Sequence, residues 1–189
     1  MTASLAYRKN EAAILSGEVP DKYLRLLPYI PGERILEIGS AEGVLALLLS
    51  KKGYDVAALE RSPERYEAAL ALQDRWAGSS VRFFKGDIRD NLFLLNETDT
   101  LVAVRMIYYL GEDLDTVFAE AAKHVSNIVL CGNKNRAQWW RQGVPNRNDR
   151  VDNYYASHEG MTDLLLRHGY RIETLVEEGD PIVVGRKTP

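Results

Sequence analysis

Cysteine is nearly absent from this sequence of 189 residues: Cys131 stands alone. That excludes an intrachain disulfide framework and a cysteine-rich metal site. No apolar run approaches the ~20 residues that a membrane-spanning helix needs. The opening residues MTASLAYRKNEAAILSGE have no apolar stretch flanked like a secretory signal. An excess of positive charge is missing too. The net charge of -3 and a pI near 5.7 exclude a surface wholly committed to polyanions, while a local basic patch stays open. Internal repeats and low-complexity segments are lacking, and the phosphate-cradling pattern G-x-x-x-x-G-K-[ST] does not occur. What is present, 46% hydrophobic and 27% charged residues, suits one globular domain with a real core. The expectation is a soluble, cytoplasmic, single-domain protein.

Strand and helix signals alternate along the chain. Residues 4–16 and 21–29 read as helices, the second begun by Asp21 after Pro20, and the Pro31-Gly32 pair breaks the chain before RILEIG. A helix over GVLALLLSKKG stops at Gly53, and DVAALE forms a strand. Ser62 and Pro63 then suit the N-cap and first position of a helix whose Ala68, Ala69, Leu72 and Trp76 recur at helical spacing. VRFFKGD, TLVAVRMIYYL and NIVLCGNK follow as strands, with DLDTVFAEAAKHV helical between the last two. After a helix over 158–168, YRIETLVEE, the turn GDP and IVVGRK read as a terminal hairpin. Such alternation implies βαβ units and a doubly wound, mostly parallel α/β sheet of seven strands with helices on both faces and an antiparallel C-terminal strand.

In doubly wound sheets ligands lie beyond the carboxyl ends of the strands. That draws attention to EIGSAEG, residues 37–43. Gly39 and Gly43 let the turn bend and a ligand approach the backbone, and the next helix offers free N–H groups at its positive end. A dinucleotide wants G-x-G-x-x-G, but the matching positions are Gly39, Ala41 and Val44. Two of three glycines are missing, which weakens the dinucleotide reading.

The stretch resembles the first motif of the class I S-adenosylmethionine-dependent methyltransferases, acid-x-G-x-G-x-G, with Ala41 in place of the middle glycine. Further along, Glu60 ends the second strand about 20 positions after Gly39, a spacing that suits an acid accepting ribose hydroxyls. KGD at 85–87, DTLVAVRMIYYL and HGYRIETLVEE resemble later family motifs, so the likeness runs in order over residues 34–187. It implies a Rossmann-like fold, S-adenosylmethionine as cofactor and S-adenosylhomocysteine as product, and no metal. The implied cofactor residues are Glu37, Gly39, Ser40, Ala41, Gly43, Glu60, Arg61, Asp87, Ile88 and Arg105. Blander readings stand beside these: Glu60 as a solvated strand end, Asp87 as a cap of the turn GDIRD, and Glu42 as an acid favouring a helix start.

The resemblance also implies a division of labour. Residues 1–30 would form an N-terminal helical lid, 34–134 the cofactor half, 135–156 a substrate lid, and 157–189 a C-terminal helix and hairpin. A sulfonium methyl arrives activated, so the protein would mainly align the acceptor and exclude water. For a hydroxyl acceptor a general base would help. His158, after Ser157 at the start of the last helix, is the first candidate, with a solvated helix-start histidine as its alternative. His124 and His168 sit late in helices and need no chemistry. Of Tyr108 and Tyr109, both following the fourth strand, one would line the pocket and the other pack; Tyr108 is carried as a second catalytic candidate.

The polar segment 133–155 is long enough to carry function or a short helix of its own, and its composition suggests the acceptor. Lys134, Arg136, Arg141, Arg147 and Arg150 outnumber Asp149 and Asp152, and Trp139 and Trp140 stand among them. Arginine suits phosphate or carboxylate, and tryptophan a flat ring or sugar face. Tyr109, Arg136, Trp139, Trp140, Arg141 and Tyr154 are therefore the candidate substrate residues, for O-methylation of an anionic small molecule or a phosphate-linked saccharide. A salt-bridged lid is the plain alternative. Tyr7 and Arg8 are candidates to hold the cofactor carboxylate. RMIYY differs from the Asp/Asn-Pro-Pro-aromatic signature of base-amino methylation, and no acid replaces Arg105 as a metal ligand. RNA is the competing substrate, and a non-catalytic, cofactor-binding regulator is the competing class.

Overall fold

A computed structural model describes residues 14, 16, 18–146 and 151–187. Tyr7, Arg8, Arg147, Asp149 and Arg150, and most of the helix expected over 4–16, lie outside the described residues.

Seven strands form one sheet: β1 (Arg34–Ile38), β2 (Asp55–Glu60), β3 (Val81–Lys85), β4 (Thr100–Val104), β5 (Asn127–Cys131), β6 (Tyr170–Val176) and β7 (Ile182–Lys187). Their spatial order is β3-β2-β1-β4-β5-β7-β6. Neighbours from β3 to β5 pair in parallel, whereas β7 runs antiparallel to both β5 and β6. Strand order reverses at β1, between β2 and β4, which places the turn after β1 at the switch point where such sheets take ligands.

The alternation of side chains along β1 distributes the core over both faces. Leu36 and Ile38 join β-strand neighbours Leu59, Leu101 and Ala103 under α4 (Leu114–His124) and α6 (His158–Arg167). Ile35 and its neighbours Val56, Ala58 and Val102 face α2 (Val44–Lys51) and α3 (Pro63–Arg75). Glu37 follows the parity of Ile35, so an acid is delivered to the α2 face of a strand whose register fixes it beside Ala58 and Val102. α3 starts as its sequence predicts, with Ser62 Oγ accepting the Arg65 N–H and Pro63 in the first turn.

Two expectations change. Residues 21–29 do not form one helix: α1 (Asp21–Leu24) is a single turn, followed by a 3-10 turn over Leu27–Tyr29. Pro28 lacks the N–H that would continue the α-helical ladder to Leu24 C=O, so the run breaks and resumes as a 3-10 turn. β4 stops at Val104 and does not extend through RMIYYL, because Arg105 takes a positive φ of 54° and the chain turns into 3-10 geometry at Ile107–Tyr109. The polar segment after β5 contains a short helix of its own, as its length allowed: α5 (Lys134–Arg141), capped by Asn133 Oδ1 on the N–H groups of Asn135 and Arg136.

Candidate functional site

The turn after β1 is built from left-handed residues. Gly39, Ala41 and Gly43 have φ of 69°, 51° and 74°. A Cβ at Gly39 would lie 3.0 Å from Met106 Cβ, and one at Gly43 would lie 2.6 Å from Phe83 Cζ. Both glycines are therefore required by close approach as well as by backbone angle. Ala41 accepts the same left-handed angle with a side chain, at a cost of roughly 1–2 kcal/mol.

The turn is strapped to β2. Leu59 C=O accepts the N–H groups of Gly39 at 2.8 Å and Ser40 at 3.1 Å. The buried carboxylate of Glu60 accepts the N–H of Ala41 through Oε2 and that of Ser62 through Oε1, each at 2.8 Å. Glu60 is thus a positioned acid at the strand end, in place of the solvated one that the blander reading offered.

A cavity of about 560 Å³ opens above these strand ends. Of the ten cofactor residues that the resemblance implies, nine line it; Gly43 instead sits below, against Phe83. Two buried polar atoms in its lining, Glu37 Oε2 and Ser40 Oγ, have no hydrogen-bond partner. Such atoms are costly unless something in the cavity satisfies them. Burial pushes the Glu37 carboxyl up to about 8, opposed by the Ala46 backbone N–H and the Lys22 charge. Asp87 is held below the ordinary carboxylate range, chiefly by Arg89, whose Nε and Nη2 reach its two oxygens at 2.9 and 2.7 Å. It also caps the 3-10 turn Ile88–Asp90 by accepting the Arg89 N–H, so capping and lining coexist in one side chain. Arg105 lines the cavity while its guanidinium pairs with the buried Asp180 from the β6–β7 turn.

Sequence reasoning missed several lining residues: Lys22 and Tyr23 from α1, Arg65, Met106 and Leu110. Nothing in the run DKYL distinguishes a cavity wall from an ordinary helix turn, and Met106 was assigned to the strand it in fact follows. Among the described residues no group of three His, Cys, Asp or Glu side chains is placed to hold a metal ion.

Beside the cavity stands an aromatic and cationic platform. Arg136 on α5 donates to the Tyr109 hydroxyl at 3.0 Å and to Asn153 Oδ1 at 2.9 Å. Its guanidinium carbon lies 4.9 and 5.2 Å from the ring centres of Tyr108 and Tyr109, and 5.9 Å from that of Trp139. Tyr109 also lines the cavity and is exposed, whereas Tyr108 is buried against Val151 and Ala156. Burial pushes the Tyr108 hydroxyl up to about 12. Trp140 packs on Tyr154, ring centres 4.9 Å apart, and the Tyr154 hydroxyl bonds Asp163. His158 is not on the cavity: its Nδ1 lies 3.2 Å from Arg141 Nη2, its Nε2 3.5 Å from Glu177, and Arg141 is forked onto Glu159. The substrate candidates therefore divide into an Arg136 group next to the cavity and an Arg141 group tied to the start of α6.

The family model described as "Methyltransferase domain" matches residues 35–127, from β1 to the start of β5. The ribosomal RNA small subunit methyltransferase A of Deinococcus radiodurans is 37% identical over 100 residues, 53% of this chain and 33% of that protein. The magnesium-protoporphyrin O-methyltransferase of Rhodobacter capsulatus is 26% identical over 124 residues, 65% of this chain and 51% of that one. The chain thus spans a third of the first relative's length and about half of the second's. Among solved structures, magnesium protoporphyrin IX methyltransferase from Synechocystis with bound SAH superposes with a TM-score of 0.67 at 16% identity, covering 100% of this chain and 90% of that one. The matched segment carries the strapped turn, Glu60 and Asp87, and the likeness in fold extends over the remainder. Residues 35–127 thus match a methyltransferase domain, and the fold of the whole chain is that of the methyltransferase on which it superposes.

Proposed function

We propose that this protein transfers a methyl group from S-adenosylmethionine to an oxygen of an anionic small molecule or saccharide. The observation that carries the reading is Tyr109. It is a wall of the cavity over the β1 turn and, through its hydroxyl, a partner of Arg136 on the platform. A cavity lined by acids thereby adjoins a guanidinium framed by rings, which suits a flat or sugar-like acceptor bearing carboxylate or phosphate.

The residues fit the cofactor that the family uses. Glu37 Oε2 and Ser40 Oγ offer unsatisfied polar atoms, and Glu60 presents a carboxylate already aligned by two amides. In this reading Glu60 takes the ribose hydroxyls, Asp87 and Ile88 the adenine end, Glu37 the amino group, and Arg61 and Arg105 flank these contacts. When bound, S-adenosylmethionine supplies an activated sulfonium methyl group. The chain contributes alignment and exclusion of water, with residues 1–30 and 135–156 as lids. A Tyr108 hydroxyl pushed up to about 12 is a hydrogen-bond donor at neutral pH, not a base. His158 would serve as base only for an acceptor reaching the Arg141 group. The single buried thiol and the absence, among the described residues, of a helix long and apolar enough to cross a membrane agree with a cytoplasmic setting.

A second reading, RNA methylation, is favoured by the ribosomal RNA methyltransferase among the relatives and by arginines interleaved with aromatics. Incubation with methyl-labelled S-adenosylmethionine and separate pools of anionic small molecules, phosphorylated saccharides and RNA tests both. Label in the first two pools is expected. Label in RNA alone would establish the second reading, and cofactor binding without transfer to any pool would point to a regulator.

A further inference from the structure

The amino-acid end of the cofactor has no assigned anion partner among the described residues. Arg8, the cation the sequence offered for the carboxylate, lies outside the described residues; Arg105 is engaged by Asp180, and the platform guanidinium of Arg136 is turned toward Tyr109 and Asn153. Lys22 is placed differently. It projects from α1 into the cavity lining and is half-buried, with Nζ 4.5 Å from the centre of the Tyr23 ring. No carboxylate of the described residues lies within ion-pair distance of it, and the charged side chains that act on it most are Arg105, Glu37 and Asp180. Burial first, and the Arg105 charge second, hold its ammonium below the ordinary lysine range. A half-buried ammonium whose charge is disfavoured by its surroundings gains from an incoming anion.

In the same cavity, Glu37 Oε2 is fully buried and without a partner. An acceptor lacking a donor and an ammonium lacking an anion therefore line one cavity, near enough for each charge to act on the other. That pair is complementary to one arrangement above others: an ammonium and a carboxylate on the same carbon, as in an α-amino acid.

We propose that Lys22 is the specificity-determining residue for the carboxylate of the cofactor's amino-acid end, paired with Glu37 on its ammonium. The inference rests on the cofactor reading above. It makes α1 part of the binding site and gives the N-terminal segment a direct stake in cofactor occupancy. It also predicts that the site separates S-adenosylmethionine from sulfonium nucleosides that lack the carboxylate.

The test is calorimetric titration of wild type, Lys22→Met and Lys22→Arg with S-adenosylmethionine and with decarboxylated S-adenosylmethionine. The latter keeps the sulfonium and the ammonium and lacks only the carboxylate. Loss of one charge-assisted contact should weaken S-adenosylmethionine about ten-fold or more in Lys22→Met. Lys22→Arg should restore most of the loss, and the decarboxylated compound should bind Lys22→Met no more weakly than wild type. Equal losses for both compounds, or none for S-adenosylmethionine, would overturn the role of Lys22 while leaving the cofactor reading intact. A wild-type protein that binds neither compound would instead overturn the cofactor reading, and this inference with it.

Discussion

Glu60 accepts the backbone N–H of Ala41 at 2.8 Å, so the acid that ends β2 fixes the conformation of the turn that follows β1. Its second oxygen does the same for Ser62 at the entry to α3. One side chain therefore holds two loops and still presents lone pairs to the cavity. Glu60→Ala should lose about 1–3 kcal/mol of folding stability, because two part-buried N–H groups are left without an acceptor. Urea denaturation of the apo protein measures this, and an unchanged midpoint would show that the loops do not depend on the carboxylate.

The left-handed angles at positions 41 and 43 predict opposite outcomes for opposite substitutions. Ala41→Gly removes a strained side chain at φ 51° and should be neutral or stabilising by up to about 1 kcal/mol, the relief being partly offset by a more flexible unfolded chain. Gly43→Ala places a Cβ 2.6 Å from Phe83 Cζ and should destabilise by about 1–3 kcal/mol or more. Thermal unfolding of the two variants checks both signs, and Phe83→Leu in the Gly43→Ala background should recover part of the loss.

The buried acid of β1 makes stability depend on pH. Burial lifts Glu37 from 4.5 to about 8 in the folded protein. Between those values the folded state keeps a proton that the unfolded chain has released, so stability falls as pH rises through this window and is insensitive to Glu37 below it. The slope is at most about 1.4 kcal/mol per pH unit. Glu37→Gln removes the titrating group, so its stability advantage over wild type should grow from about pH 5 to about pH 8. Parallel stability profiles for the two proteins would contradict the burial argument.

Arg136 donates to the Tyr109 hydroxyl beside the cavity, and the proposed function assigns it to the acceptor. Arg136→Ala should leave S-adenosylhomocysteine affinity within about two-fold while lowering kcat/KM for an anionic acceptor by about ten-fold or more, as expected for a lost charged hydrogen bond. Comparable loss in cofactor affinity would place Arg136 in the cofactor site instead.

The parts of this fold that show in the sequence are those governed by local periodicity. All seven strands, the start of α3 at Ser62 and Pro63 and the terminal hairpin follow from apolar alternation, caps and turn residues. The elements that escaped are set by tertiary geometry. Arg105 ends β4 through a backbone angle fixed by the approach of Cys131 C=O, at 2.7 Å from its N–H, and no residue-type signal marks it. For α5 the length of the polar run allowed a short helix without placing it, because its buried face is little more than Ala137. Glu60 and Asp87 were found through their positions at strand ends. Lys22 belongs to the cavity because Tyr23 of α1 packs into the core cluster that holds Ile35 of β1, and Asp180 was read as part of a turn while its carboxylate holds Arg105 and the Lys134 N–H. His158 has the sequence position of a site residue, yet Arg141, Glu159 and Glu177 surround it.

The central claim is that the cavity over the β1 turn binds S-adenosylmethionine through Glu60. Isothermal titration of wild type and Glu60→Gln with S-adenosylmethionine and S-adenosylhomocysteine tests it most directly. The account predicts one site per chain in the wild type and an affinity about ten-fold or more weaker in the variant, since the amide presents one oxygen where the carboxylate presents two. Wild-type protein that binds neither compound, or a variant that binds both as tightly as wild type, would contradict it.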